Sequence, residues 1–392
     1  MILTNDQYLA LAKLSKWYNK YQHQLIEISG QIGTGISDVI KEFIELSSLD
    51  QREIMYLSYD QKQILDLAIK GNHAYYINNV IYEYIKITDF TTIPILNPNS
   101  DHTKFEWKKK VKNKINSKYK LMVVFDSTLL SISTIQDLSS LNLPIILIRD
   151  SMLLPAPNTY TFLRDANIEL REVNPEYLKN PIVYFANRII SGETLKYGNY
   201  DNVTIVPKKQ MNLYNLRSSD MNITITEDLR TELNYMYRSK ILGLKDITNI
   251  AGERVITESS IYNEKLTNSE NKKVKVHLVK GVVGYLSKVN KHAVNTKYVN
   301  VNFRPGFYHE EFIDLIMDRH YLNQINLKSF QIIPDETIKF SYAYALSAAL
   351  SRSSYWDKVT FIIDNDDNDA ALQRRLMYTG ITRARKSLTI II

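Results

Sequence analysis

The stretch Gly30-Gln31-Ile32-Gly33-Thr34-Gly35-Ile36-Ser37 follows the apolar run Leu25, Ile26, Ile28 and precedes Val39, Ile40, Phe43 and Ile44 at helical spacing. It reads as a glycine-rich turn between a buried strand and an amphipathic helix. In that setting the pattern G-x-x-x-x-G-K-[ST] is a phosphate loop. Its glycines let backbone N–H groups close around phosphates at a helix N-terminus, its lysine adds a point charge, and its hydroxyl holds magnesium. Every part is present here except the charge, because Ile36 stands in the lysine's position. Gly30, Gly33, Thr34, Gly35 and Ser37 are thus candidate nucleotide contacts, with a plain strand-to-helix turn as the competing reading.

The 392 residues exceed one ordinary core, so two compact units with insertions are expected. Hydrophobic residues make up 44% and no apolar run reaches membrane length, which predicts a soluble globular protein with no membrane partner. The N-terminus lacks the pattern of a secretion signal, and the absence of cysteine excludes disulfides and thiolate metal sites; a cytoplasmic location is the expectation. The net charge of +7 is modest, but eight lysines fall between Lys104 and Lys120, beginning beside Phe105 and Trp107. Basic residues interleaved with aromatics suit a single nucleic-acid strand: lysines such as Lys108, Lys109 and Lys110 neutralise phosphates, and each stacked base adds about 1–3 kcal/mol. A solvated helix face is the plainer reading of such a run.

Taken in order, Thr4 and Gln7 have capping-box spacing and open a helix whose face carries Leu11, Leu14 and Tyr18. Ile54–Leu57 reads as a strand, Ser58–Lys62 as the turn into another helix, and Tyr75–Ile85 as helical. A Pro/Asn-rich segment, Thr91–His102, looks like an insertion boundary. Leu121–Ser127 is a buried-strand pattern ending in Asp126, where magnesium coordination would be sought, and Leu143–Ile148 is a further strand. Strands alternating with helices over the first 165 residues argue for a parallel sheet covered on both faces. Beyond it lie a helix at Pro181–Ser191, strands at Val203–Val206 and Asn222–Thr226, and a helix carrying Arg230, Asn234 and Arg238. Short alternating runs from about Leu244 to Pro334 resemble strands of a small barrel. The end returns to the earlier style, with Phe340–Leu350 helical, Val359–Ile363 a strand, Leu372–Thr382 helical and Ser387–Ile392 a closing strand.

This order of segments resembles superfamily 1 DNA helicases of the RecD/Dda type across nearly the whole chain. Gly30–Ser37 is similar to helicase motif I, Asn5-Asp6-Gln7 to the adenine-reading Q motif, and Tyr56–Lys62 to motif Ia. Phe125-Asp126-Ser127 occupies motif II and Asp150–Pro155 motif III, while Leu170–Gly192 resembles the motif IV region. Ala345–Val359 follows motif V, and Leu376–Arg385, reading LMYTGITRAR, is a nearly complete motif VI. The resemblance implies an α/β fold of two RecA-like parallel-sheet domains, residues 1–168 and 169–392. Their insertions would fall at about 88–119, rich in lysine, and about 244–334, rich in strands. It further implies Gln7 facing adenine, Ser37 and Asp126 holding magnesium, Asp150 at the nucleotide, and Arg383 crossing the cleft as an arginine finger. Tyr59, Lys62 and Ser351 would join Phe105, Trp107 and the lysines on DNA. Dda-type proteins are often viral, and a composition rich in Tyr, Ile, Asn and Lys suits an AT-rich genome, so a phage origin and a host cytoplasm are expected.

The departures fall on the chemistry. Ile36 replaces the motif I lysine, Ser127 the motif II glutamate that activates water, and Leu153 a motif III glutamine. Pro175 stands where the family has an arginine, and Ala349, Leu350 and Arg352 replace histidine, lysine and glutamine of motif V. A hydrogen bond to a charged group is worth roughly 1.5–3 kcal/mol, and one transition-state donor about a hundred- to a thousandfold in rate. Losing the general base costs about as much again, and even with strong non-additivity negligible hydrolysis is expected. The reading is a helicase-fold protein binding single-stranded or forked DNA, a replication or repair partner, or both. An active 5′ to 3′ helicase and a non-hydrolysing nucleotide switch are the alternatives. ATP or ADP with magnesium is the cofactor the resemblance implies; the residues themselves assign none.

Overall fold

The structure is a computed structural model. It describes residues 3–20, 25–60, 63–64, 67–68, 70–88, 103–110, 118–154, 166–244, 251–259, 261–267, 273–278, 280–291, 298–306, 311–318, 337–352, 354–364 and 369–392. The chain forms two compact units, one of Met1–Ile81, Val111–Arg230 and Leu346–Ile392, the other of Tyr82–Lys110 and Thr231–Ala345.

The first unit contains two sheets. Helix α1 (Asn5–Lys20) starts where the Thr4 N–H donates to Gln7 Oε1, one arm of the expected capping box; the Thr4 hydroxyl turns to Asp6 instead. Strand β1 (Leu25–Gly30) leads through the glycine turn to α2 (Ile36–Leu46), followed by β2 (Ile54–Ser58) and β3 (His73–Tyr76). Next come β4 (Leu121–Val124), α3 (Ile132–Ser139), β5 (Ile145–Arg149) and β6 (Ile168–Leu170). The sheet order is β3-β2-β4-β5-β1-β6, parallel throughout. One face is packed by Leu11, Leu14 and Trp17 of α1 and by Val39, Ile40, Phe43 and Ile44 of α2, the apolar stripes that helical spacing dictates. The expected domain boundary at 168/169 falls inside β6, whose pairing with β1 carries the first sheet through Leu170.

The second sheet follows from α4 (Pro175–Leu178), α5 (Pro181–Ile190), β7 (Gly198–Tyr200) and β8 (Val203–Val206), then α6 (Leu213–Ser218), β9 (Met221–Thr224) and α7 (Glu227–Met236). Late elements complete it: β10 (Ala345–Ser347), α8 (Ala348–Ser351), β11 (Trp356–Ile362), α9 (Ala370–Ile381) and β12 (Ala384–Ile391). Its order is β10-β9-β11-β12-β8-β7, with β9, β11, β12 and β8 parallel and β7 antiparallel at the edge.

The second unit contains a hairpin, Tyr82–Thr88 against Thr103–Lys109, and an antiparallel sheet ordered 273–278, 261–267, 311–318, 298–305, 283–291, 254–257, 340–342. Strand Thr337–Ile338 joins it beside 311–318. Its core packs Phe303 against Phe340, with ring centroids 5.0 Å apart. Arg238 is buried against Glu253 at 2.5 Å with its guanidinium 4.4 Å from the Tyr342 ring.

Two expectations are corrected. Tyr75–Ile85 is helical only at Ile77–Ile81. Tyr75 and Tyr76 pair with Leu57 and Ser58 in the parallel sheet, and Tyr82 onward forms the hairpin. Aromatic and β-branched side chains suit both strands, and pairing outweighs the helical spacing. Phe340–Leu350 is strand at Phe340–Tyr342 and Ala345–Ser347, and helical only from Ala348. There the buried Asn234 carboxamide accepts from the Tyr344 and Ala345 N–H groups, holding extended backbone that a helix would have paired internally. The segment Thr91–His102 lies outside the described residues.

Candidate functional site: a glycine-rich loop closed by the chain itself

The turn after β1 has the glycine geometry a phosphate loop needs. Gly33 and Gly35 adopt φ of 87° and 72°, and α2 begins at Ile36. A side chain on Gly30 would collide with the Thr34 hydroxyl, and one on Gly35 with the Gln7 carboxamide. The loop is braced from within: the Thr34 N–H and hydroxyl both donate to the Gln31 carbonyl, at 3.1 and 2.8 Å. Gln7 is fully buried, its Nε2 donating to the Thr34 carbonyl at 2.8 Å while its Oε1 caps α1. Its carboxamide therefore ties α1 to the loop.

Ile36 packs against the apolar cluster of the first sheet, where a lysine would have presented charge. Ser37 is exposed on the first turn of α2. Asp126 sits just beyond β4 in the left-handed region, at φ 53°, and its Oδ1 accepts from the Thr128 hydroxyl at 2.5 Å. Ser127 is buried and turns inward, donating to Glu27 Oε1 at 3.1 Å. Glu27 lies wholly buried in the middle of β1, with Arg149 Nε 3.6 Å from the same oxygen.

The second sheet's helices dock directly on this loop. The Gly33 carbonyl accepts from the Asn174 N–H at 2.9 Å, and a Cβ at Gly33 would lie 2.8 Å from Val183 and 2.9 Å from Val173. Asn187 of α5 accepts from Gln31 Nε2 at 2.7 Å and donates to the Ile32 carbonyl at 3.3 Å. The Ile32 N–H donates to the Tyr378 hydroxyl at 2.7 Å, which in turn donates to Asp150 Oδ2 at 2.5 Å. Tyr177 of α4 donates to Asp38 at 2.5 Å; burial, then this bond, pushes its hydroxyl up to about 12. The turn after β5 is held similarly, with Arg375 donating to the Ser151 and Leu153 carbonyls and Arg352 to that of Leu154.

Asp150 is enclosed in this contact. Burial raises its carboxyl to about 6, against the lowering effects of the Tyr378 hydroxyl, the Met152 N–H and nearby Arg383. Burial and the Asp150 carboxyl raise the Tyr378 hydroxyl well above its ordinary range. Arg383 itself is fully buried, bonded to the Thr379 and Arg352 carbonyls and the Thr382 hydroxyl, with its guanidinium 4.4 Å from the Tyr355 ring. Its donors thus serve its own half of the unit.

These residues do not fit a magnesium–triphosphate. No lysine stands at residue 36, the Ile32 N–H is taken by a phenol, Val173 and Val183 lie against Gly33, and Asp126 is held by Thr128. Among the described residues no group of three His, Asp or Glu side chains could hold a metal ion.

Residues 333–392 match a family model described as the viral superfamily 1 RNA helicase core domain. Over those residues the chain is similar to superfamily 1 helicases. Among solved structures, Pif1 helicase from Bacteroides with ADP-AlF3 and single-stranded DNA covers the whole chain and 92% of its own length, at 14% identity and a TM-score of 0.44. A Pif1 structure describing unwinding at forked duplex DNA aligns at 12% identity and a TM-score of 0.47, with coverages of 100% and 92%. Candida albicans Pif1 aligns at 11% identity and 0.41, with coverages of 100% and 95%. No curated protein matches the chain in sequence.

Of the helicase positions expected on DNA, Tyr59 is half-buried with its ring edge-on to Tyr76, 5.6 Å between centroids. Ser351 is fully buried and donates to the Ala348 carbonyl of its own helix. Phe105, Trp107, Lys108 and Lys109 lie on strand Thr103–Lys109, with Lys110 just beyond it, and Lys109 is exposed. Lys62 is outside the described residues. The helicase reading of the sequence missed Glu27, Asn174, Tyr177 and Asn187. A carboxylate inside the apolar run Leu25–Ile28 was a signal for the first; the others are polar residues some 140–160 positions from the loop they touch, and nothing local marks them.

Proposed function

We propose that this chain is a helicase-fold protein without ATP turnover that holds single-stranded or forked DNA, a replication or repair protein, or both, in the cytoplasm of a phage-infected cell. The observation that carries the reading is Ile36, a half-buried apolar side chain packed against the first sheet's core cluster at the position where a phosphate-loop lysine belongs. The inward turn of Ser127 onto Glu27 supports it, since a hydroxyl committed to a buried carboxylate cannot activate water. For DNA, the support is the basic run beginning at Lys104 and the net charge of +7.

The test is fluorescence anisotropy with an oligothymidine and with a fork, over rising salt, with and without magnesium ATP. The reading predicts binding that weakens with salt and is indifferent to ATP. Absence of binding to either DNA at low salt would leave only the protein-partner branch, and ATP-dependent release would favour a working motor or a nucleotide switch.

A further inference from the structure

The glycine-rich loop has kept its shape while losing its charge, and every contact it makes across the cleft is to the same chain. We propose that it has become the socket of an internal clasp: Tyr378, Asn187 and Asn174 occupy it in place of a nucleotide and hold the two sheets of the first unit together with no ligand present. This deepens, and rests on, the reading of a cleft without turnover.

The argument is one of donors and acceptors. A phosphate loop binds anions through backbone N–H groups that the loop itself leaves unpaired. Here the Ile32 N–H already has an acceptor in the Tyr378 hydroxyl, 2.7 Å away. That hydroxyl donates its own hydrogen bond to Asp150 on the first sheet, so one phenol from α9 is tied to the first sheet at two points. Asn187 repeats the pattern from α5, accepting from the Gln31 side chain and donating to the Ile32 carbonyl. The Asn174 N–H closes on the Gly33 carbonyl at the entry to α4. Three consecutive loop residues are thus bonded across the cleft, Gln31 and the Ile32 N–H as donors and the Ile32 and Gly33 carbonyls as acceptors, and opening it would take the Tyr378 hydroxyl from both the Ile32 N–H and Asp150 Oδ2.

A ligand shifts an equilibrium only by its differential affinity for the two states. With the Ile32 N–H committed to Tyr378 in the closed arrangement, that donor is not open to a triphosphate, so nucleotide gains nothing from it on closure. The closed cleft is then the resting state and is independent of nucleotide.

The cysteine-free chain makes the test direct. Lys41→Cys on α2 and Tyr214→Cys on α6 replace exposed side chains, one beside each sheet, and carry spin labels for pulsed electron resonance distance measurement. The clasp predicts one narrow distance population in the full-length protein, unchanged by magnesium ATP. It broadens with Tyr378→Phe and with Asn187→Ala. The second change, in a half-buried pair, carries the test if the first fails to fold. A broad or two-peaked distribution in the parent protein, or one that narrows on adding magnesium ATP, would overturn the clasp. ATP turnover measured on the same labelled sample separates the two claims. Broad distances without turnover sink the clasp alone, whereas turnover sinks the reading beneath it.

Discussion

Replacing Ser127 by glutamate, the change that would restore a motif II carboxylate, is expected to damage the fold. Ser127 is fully buried and donates to Glu27 Oε1 at 3.1 Å, and Glu27 has no exposed surface. A second carboxylate there meets the first at about 4 Å, where two like charges at an effective dielectric near 20 repel by about 4 kcal/mol. The new group can escape by protonating, which for an ordinary glutamate costs about 4 kcal/mol at pH 7 and about 1 kcal/mol at pH 5. Both routes give an electrostatic loss of about 4 kcal/mol at pH 7, most of it gone at pH 5, where the protonated carboxyl donates to Glu27 as the serine did. Overpacking adds a pH-independent loss of about 1–3 kcal/mol. Urea unfolding followed by the fluorescence of buried Trp17 measures this, with Ser127→Glu made alone and with Glu27→Gln at both pH values. The pH-dependent part should vanish in the Glu27→Gln background. An equal loss at pH 5 and pH 7, or an equal loss in both backgrounds, would refute the reasoning.

Ile36→Lys should leave ATP hydrolysis undetectable and lower stability by about 1–2 kcal/mol, from the apolar area returned to water, as read by the urea midpoint. Asp150 has a folded-state value of about 6 against an ordinary 3.8, so the fold favours its neutral form. Stability contributed by that proton is complete below about pH 4 and is lost as pH rises through 6, up to about 3 kcal/mol. Asp150→Asn, which keeps an acceptor for Tyr378, should flatten the slope. Lys109→Ala and Lys110→Ala should each weaken oligothymidine binding and reduce the slope of log affinity against log salt by about 0.7, the signature of one lost phosphate contact on a single strand. An unchanged slope would remove the strand's end from the DNA interface.

The first parallel sheet was legible because its strands are buried on both faces: Leu121–Val124 and Ile145–Leu147 are continuous apolar runs that no amphipathic helix would carry. The helix stripe after Gly35 was equally plain. Tyr75–Ile85 and Phe340–Leu350 were misread for one shared reason. Both mix tyrosine, isoleucine or alanine at spacings that fit either period, and the choice is made by partners far away, β2 for Tyr75 and Asn234 for Tyr344. At the site, the sequence placed Ile36 where a phosphate-loop lysine would stand, because that is a property of one position. It could not show which distant residues the loop meets. Tyr378 was read within its motif, yet its hydroxyl acquires meaning only from an amide 346 residues away, and Asn187 from a loop 155 and 156 residues away. Glu27 was passed over inside the apolar run Leu25–Ile28 and is explained only once Ser127 and Arg149 are seen around it.

The central claim is that the cleft does no work on ATP. Steady-state hydrolysis by the full chain, with magnesium and saturating oligothymidine, tests it most directly. The account predicts release of phosphate no faster than in the absence of protein, with and without DNA. DNA-stimulated turnover in the ordinary enzymatic range of about 1–1,000 per second, abolished by Arg383→Ala, would contradict it.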